Sequence, residues 1–113
     1  MRSTLVVTND FGPRAGGIES FVNALVERLP RGSVVVHTSE QEGAPEYDER
    51  LLRDFDIAVV RDPMKMLVPT RNATKRVVAT AKKYGCTQVW FGAAAPLGLM
   101  APALKRAGIM RSV

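Results

Sequence analysis

Gly16 and Gly17 stand directly ahead of a stretch in which Ile18, Phe21, Val22, Leu25, Val26 and Leu29 recur at helical spacing. A glycine pair at a helix N-terminus leaves the backbone amides free of Cβ atoms. An anion can then approach the main chain, and the positive end of the helix dipole favours its charge. The surrounding run, Asn9-Asp10-Phe11-Gly12-Pro13-Arg14-Ala15-Gly16-Gly17-Ile18-Glu19, has neither the G-x-G-x-x-G spacing of a dinucleotide fingerprint nor the G-x-x-x-x-G-K-[ST] spacing of a P-loop. On this run alone, a glycine pair that simply makes a tight turn is an equal reading.

A basic helix is the second feature with chemistry. Arg71, Lys75 and Lys82 fall near one line of a helical wheel, with Arg76 and Lys83 about a third of a turn away and Val77, Ala81 and Tyr84 opposite. Such a face suits anionic phospholipid headgroups, each cation near the surface contributing about 1 kcal/mol. These five residues are therefore the candidates for facing a membrane; a merely solvated Lys/Arg face explains them equally. His37, the only histidine, has no neighbouring Cys or carboxylate cluster, so it reads as a packing residue and no metal site is expected. Cys86 permits no internal disulfide, which points to a reducing, intracellular compartment, and with no histidine nearby to activate it the thiol reads as packing.

The 113 residues, 46% apolar and 24% charged, suit one ordinary globular domain. The apolar run at the N-terminus is too short for a signal-peptide core. The longest apolar stretch, residues 89–104, is broken by Gly92, Pro96, Gly98 and Pro102 and falls short of the roughly 20 residues that span a bilayer. The net charge of +5 hides an asymmetry: residues 1–60 carry six Lys/Arg against ten Asp/Glu, residues 61–113 ten against one. The second half is thus suited to an anionic partner, either nucleic acid or a lipid surface.

The elements that must position these residues follow from periodicity. Leu5-Val6-Val7 is a β-rich run without polar alternation, as in a strand covered on both faces. A helix over 17–29 stops at Pro30-Arg31-Gly32, and Val34-Val35-Val36 forms a second strand. An acidic segment over 39–55, with a short helix around 46–53, leads to a third strand over 57–60, which Asp62-Pro63 ends. A helix over 70–84 stopped by Gly85, a strand over 88–91, a helix over 97–107 ended by Gly108 and a fifth strand from 109 complete the pattern. Alternating strands and helices predict an α/β, doubly wound parallel sheet of order 3-2-1-4-5. Ligands would then bind where the winding reverses, between strands one and four, at the loops 8–17 and 92–96.

On these same residues the chain resembles a known family. The opening from Val6-Val7-Thr8-Asn9-Asp10 through Gly16-Gly17-Ile18-Glu19-Ser20-Phe21 is similar to that of family 4 glycosyltransferases of the GT-B fold. Val89-Trp90-Phe91-Gly92-Ala93-Ala94-Ala95-Pro96-Leu97 and Met66-Leu67-(Val68)-Pro69-Thr70 resemble segments of the GDP-mannose-dependent phosphatidylinositol monomannoside mannosyltransferases of mycobacteria and corynebacteria. Gly12, where this branch has a second proline, and Val68, an extra residue, depart from the pattern.

The resemblance implies a Rossmann-like N-terminal part of a GT-B fold, residues 1–113 being the acceptor-side domain cut short near strand five, with the donor domain and the catalytic residues absent. It implies transfer of mannose from GDP-mannose to a phosphatidylinositol mannoside, with retention, by a peripheral enzyme on the cytoplasmic face of the plasma membrane. Gly16 and Gly17 would contact the donor pyrophosphate or the acceptor phosphate. Asn9, Asp10 and Arg14 would lie near the acceptor, Asp10 accepting hydrogen bonds from sugar hydroxyls and Arg14 pairing with a phosphate. No cofactor is implied beyond the donor itself. The partners would be the nucleotide-sugar, the phosphoinositide acceptor and an anionic membrane surface, with no nucleic acid. A flavodoxin- or response-regulator-like binding domain has the same layers, but of its clustered acidic residues only Asp10 is present. A nucleic-acid binder would want exposed aromatics or a recognition motif, and neither is found.

Overall fold

The computed structural model describes residues 2–9, 11, 27–92 and 94–111. Five parallel strands form one sheet: β1 (Thr4–Thr8), β2 (Val34–Ser39), β3 (Ala58–Asp62), β4 (Gln88–Phe91) and β5 (Met110–Arg111). Their order is β3-β2-β1-β4-β5, as the alternation of strands and helices predicts. Register is set by whole-strand pairing, Thr4 to Thr8 against Val34 to Thr38 on one side and Thr4 to Val7 against Gln88 to Phe91 on the other.

Both faces of the sheet are covered, which explains why its central strands lack polar alternation. On one face Val6, Val34, Val36 and Ile57 pack with Phe11 and with Leu51 of α1 (Ala44–Phe55). On the other, Leu5, Val7, Val35 and Val89 pack against Ala73, Val77 and Ala81 of α2 (Arg71–Tyr84). Helix α1 is longer than the turn or two expected within the acidic segment. Pro45 sits in its first turn, and Asp56 ends it at φ 54°, a left-handed cap. Arg2 holds that cap, donating from Nη1 to the Asp56 carbonyl at 2.6 Å and from Nη2 to its carboxylate at 2.9 Å.

Helix α2 has the limits its sequence specifies. The Thr70 side chain caps the Ala73 amide at 3.1 Å, and Gly85 closes the helix at φ 72°. The single helix expected over 97–107 is instead broken into α3 (Ala94–Leu97), a 3-10 turn (Gly98–Met100) and α4 (Ala101–Arg106). Gly98 and Pro102 account for the break: the glycine weakens the first turn, and the proline is tolerated only at the start of a new helix, which α4 makes it. The helix expected over 17–29 lies outside the described residues except at its end, where residues 27 and 28 are helical.

Candidate functional site

The chain winds outward from β1 to β3 and then returns across the sheet to β4, so the direction reverses between β1 and β4. At such a switch point the connections diverge and leave a crevice at the carboxyl ends of the strands. Thr8 and Asn9 end β1 there, and Phe91 and Gly92 end β4, with the Gly92 amide still donating to the Val7 carbonyl at 2.9 Å.

Of the residues expected near an acceptor, Asn9 is described. Its side-chain oxygen accepts the Leu67 amide at 2.7 Å, and its side-chain nitrogen donates to the Leu67 carbonyl at 2.8 Å. The carboxamide thus pairs with both backbone groups of Leu67, much as a neighbouring strand would. Asp10, Arg14, Gly16 and Gly17 lie outside the described residues.

The carboxyl ends of β2 and β3 hold a buried polar network that the sequence reading missed. His37 Nε2 lies 2.9 Å from Asp62 Oδ1, and His37 Nδ1 lies 2.8 Å from the Thr80 hydroxyl. Arg76 reaches the same carboxylate with Nε on Oδ1 and Nη2 on Oδ2, each at 2.9 Å. His37, read as lacking a carboxylate, therefore has one, because adjacent parallel strands bring residue 62 beside residue 37. Its reading as a packing histidine stands: both side chains are almost wholly buried.

Burial drives the His37 pKa below its ordinary value; Asp62 opposes this and Arg76 assists it. The ring is then neutral at physiological pH, with Nε2 placed to donate to the ionised Asp62 and Nδ1 facing the Thr80 hydroxyl, which also lies 3.1 Å from the Arg76 carbonyl. Burial alone would raise the Asp62 carboxyl, but hydrogen bonds from Arg76, His37 and the Met64 amide outweigh it and hold the group below the usual carboxylate range.

Arg76 corrects the helical-wheel assignment. Arg71, Lys75, Lys82 and Lys83 are exposed, as expected of the basic face, but Arg76 folds toward the sheet and spends its guanidinium on Asp62. Position 76 flanks the buried stripe of Ala73, Val77 and Thr80, and a buried carboxylate lies within reach of it. The signal available in sequence was Asp62 itself, the single acidic residue among ten cations after residue 60.

A second ion pair straps β3 to α1. Arg61 donates to both Asp48 oxygens at 2.7 and 2.9 Å and to the Ser39 carbonyl at 3.0 Å, while its guanidinium lies 5.7 Å from the Phe11 ring centroid. Among the described residues no group of three or more His, Cys, Asp or Glu side chains could hold a metal ion, and no helix is long and apolar enough to cross a membrane.

No family model matches the chain. Among curated proteins it is 42% identical, over 96% of its length, to the GDP-mannose-dependent alpha-(1-6)-phosphatidylinositol monomannoside mannosyltransferase of Mycolicibacterium smegmatis. It is 40% identical, over 99% of its length, to the Corynebacterium glutamicum enzyme named for the monoacylated form of that lipid, and 37% identical, over 98%, to the Mycobacterium tuberculosis protein. The chain is a relative of these mannosyltransferases. Identity of this size across nearly every residue bears out the resemblance seen at the Gly-Gly run and around Trp90. The chain spans 28–29% of the length of these mannosyltransferases.

Proposed function

We propose that this chain is the acceptor-side Rossmann-like part of a GT-B mannosyltransferase that transfers mannose from GDP-mannose to a phosphatidylinositol mannoside, with retention at the anomeric carbon. The observation that carries this reading is the 37–42% identity to proteins of that name over 96–99% of the chain. The switch point between β1 and β4 agrees with it, since Asn9 follows β1 there.

In this reading the departing diphosphate is stabilised electrostatically by preorganised amides and cations. The glycine pair offers the amides, and Asp10 and Arg14 orient the acceptor headgroup, with Asn9 near the acceptor at the end of β1. The donor half of the cleft and the catalytic residues are supplied by sequence outside this chain. The exposed cations of α2 hold the enzyme on anionic lipid at the inner face of the plasma membrane, where its acceptor resides.

The test is incubation of the purified full-length protein with GDP-mannose and phosphatidylinositol monomannoside. A dimannoside with an α-linked second mannose is expected, and the 113-residue chain alone should give none, because half a cleft cannot orient two substrates. A full-length protein that transfers no mannose to this lipid would overturn the assignment, and a β-linked product would overturn retention.

A further inference from the structure

Strand β3 lies at one edge of the sheet, and before α2 begins the chain runs past the carboxyl ends of β2 and β1. Segment 63–69 makes that passage and is fastened at each strand it crosses. At β3, the Met64 amide donates to Asp62 Oδ2 at 3.3 Å. Past β2, the Glu40 amide donates to the Met64 carbonyl at 2.9 Å. At β1, Asn9 takes both backbone groups of Leu67, whose side chain is fully buried in the core.

Between these fastenings Lys65 and Met66 project into solvent, Met66 with 66% of its surface exposed. The Asp62 end is itself braced from behind by His37 and Arg76.

We propose that Asn9 and Asp62 are positioning residues that hold segment 63–69 as a wall of the acceptor crevice. The inference rests on the mannosyltransferase reading for its substrate, though not for its geometry. Neither residue needs to touch the reacting atoms. Each acts through Leu67 or Met64, placing Lys65 and Met66 at the rim, where a cation and a flexible apolar side chain suit a phosphate-bearing lipid headgroup and the start of its acyl chain.

The experiment uses the full-length protein with Asn9→Ala, Asp62→Asn and the double substitution, at a temperature where all remain folded. Amide hydrogen exchange across residues 63–69 should accelerate about tenfold or more in each single variant, and in Asn9→Ala residues 71–84 should keep their protection. The double variant should exchange little faster than the faster single one. The KM for phosphatidylinositol monomannoside should rise about five- to tenfold, with the KM for GDP-mannose within twofold.

Unchanged exchange in 63–69, or acceleration in Asn9→Ala spread evenly over the chain, would show these residues to be structural and overturn the proposal. Equal rises in both KM values would do the same. Should Asp62→Asn fail to fold, Asn9→Ala decides by the same measurements. If the wild-type protein transfers no mannose, the functional reading fails, and hydrogen exchange alone then decides whether these residues hold the segment.

Discussion

His37 on β2 and Asp62 at the end of β3 meet at 2.9 Å, Nε2 to Oδ1, although 25 positions separate them in the chain. Arg76 completes the site from α2, so one carboxylate ties together two strands and the helix that covers them. A buried carboxylate is stable only with such partners.

Asp62→Asn should therefore destabilise the full-length protein by about 2 kcal/mol, because the neutral amide leaves Arg76 without a counter-charge and one buried polar atom unpaired. Arg76→Gln should destabilise at least as much, since it leaves the fully buried Asp62 carboxylate without its counter-charge, whereas Asp62→Asn strands only a partly solvated guanidinium. Urea denaturation of the two variants checks the order. No loss of stability from either variant would contradict the assignment of Asp62 as the centre of the network.

The pH dependence has a definite sign. The folded pKa of His37 lies below 6.5, so between that lower value and 6.5 the unfolded chain binds more protons than the folded one. Stability must then rise with pH through this window, by at most about 1.4 kcal/mol per pH unit for one proton. The Asp62 contribution is present above 3.8 and is lost only as pH falls below it. Urea midpoints measured from pH 4.5 to 7.5 should show a rising limb that His37→Gln flattens. An identical limb in the variant would assign the dependence to other groups.

Cys86 should be chemically quiet. Burial pushes its thiol up to about 11, so the thiolate is scarce at neutral pH, and the side chain is shielded from reagents. At pH 8 the native thiol should react with an aromatic disulfide reagent at least about a hundredfold more slowly than the same thiol in urea. Comparable rates would show that the Cys86 environment opens readily.

For the basic helix, the informative substitution is Arg71, Lys75, Lys82 and Lys83 together to Gln, leaving Arg76 to its structural pair. Helix propensity changes little, and the apolar face is untouched. Co-sedimentation of the full-length protein with anionic vesicles at low salt should fall about tenfold or more in the variant, and wild-type binding should weaken as salt screens the attraction. Equal sedimentation of both proteins would show that these cations are only solvated.

The sheet was legible because parallel strands buried on both faces must be apolar throughout, as in Leu5-Val6-Val7, and because Thr70 and Gly85 mark helix ends through strictly local chemistry. Strand order followed from chirality and short connections, which leave few arrangements of alternating elements. The division of the helix after β4 was less legible, since Gly98 and Pro102 permit a break without requiring one. What only the tertiary structure decided was which polar residues meet. Nothing near His37 in the chain is acidic before Glu40; its partner comes from β3, where Val60 stands opposite His37 and Asp62 lies two residues further along. Asn9 is joined to Leu67 because the connection from β3 to α2 passes the end of β1. Arg76 reads as one more surface cation until the fold sets a buried carboxylate beside it. Periodicity along a chain reports which face of an element is covered, whereas hydrogen-bond partners depend on distances that are fixed only when separate elements pack.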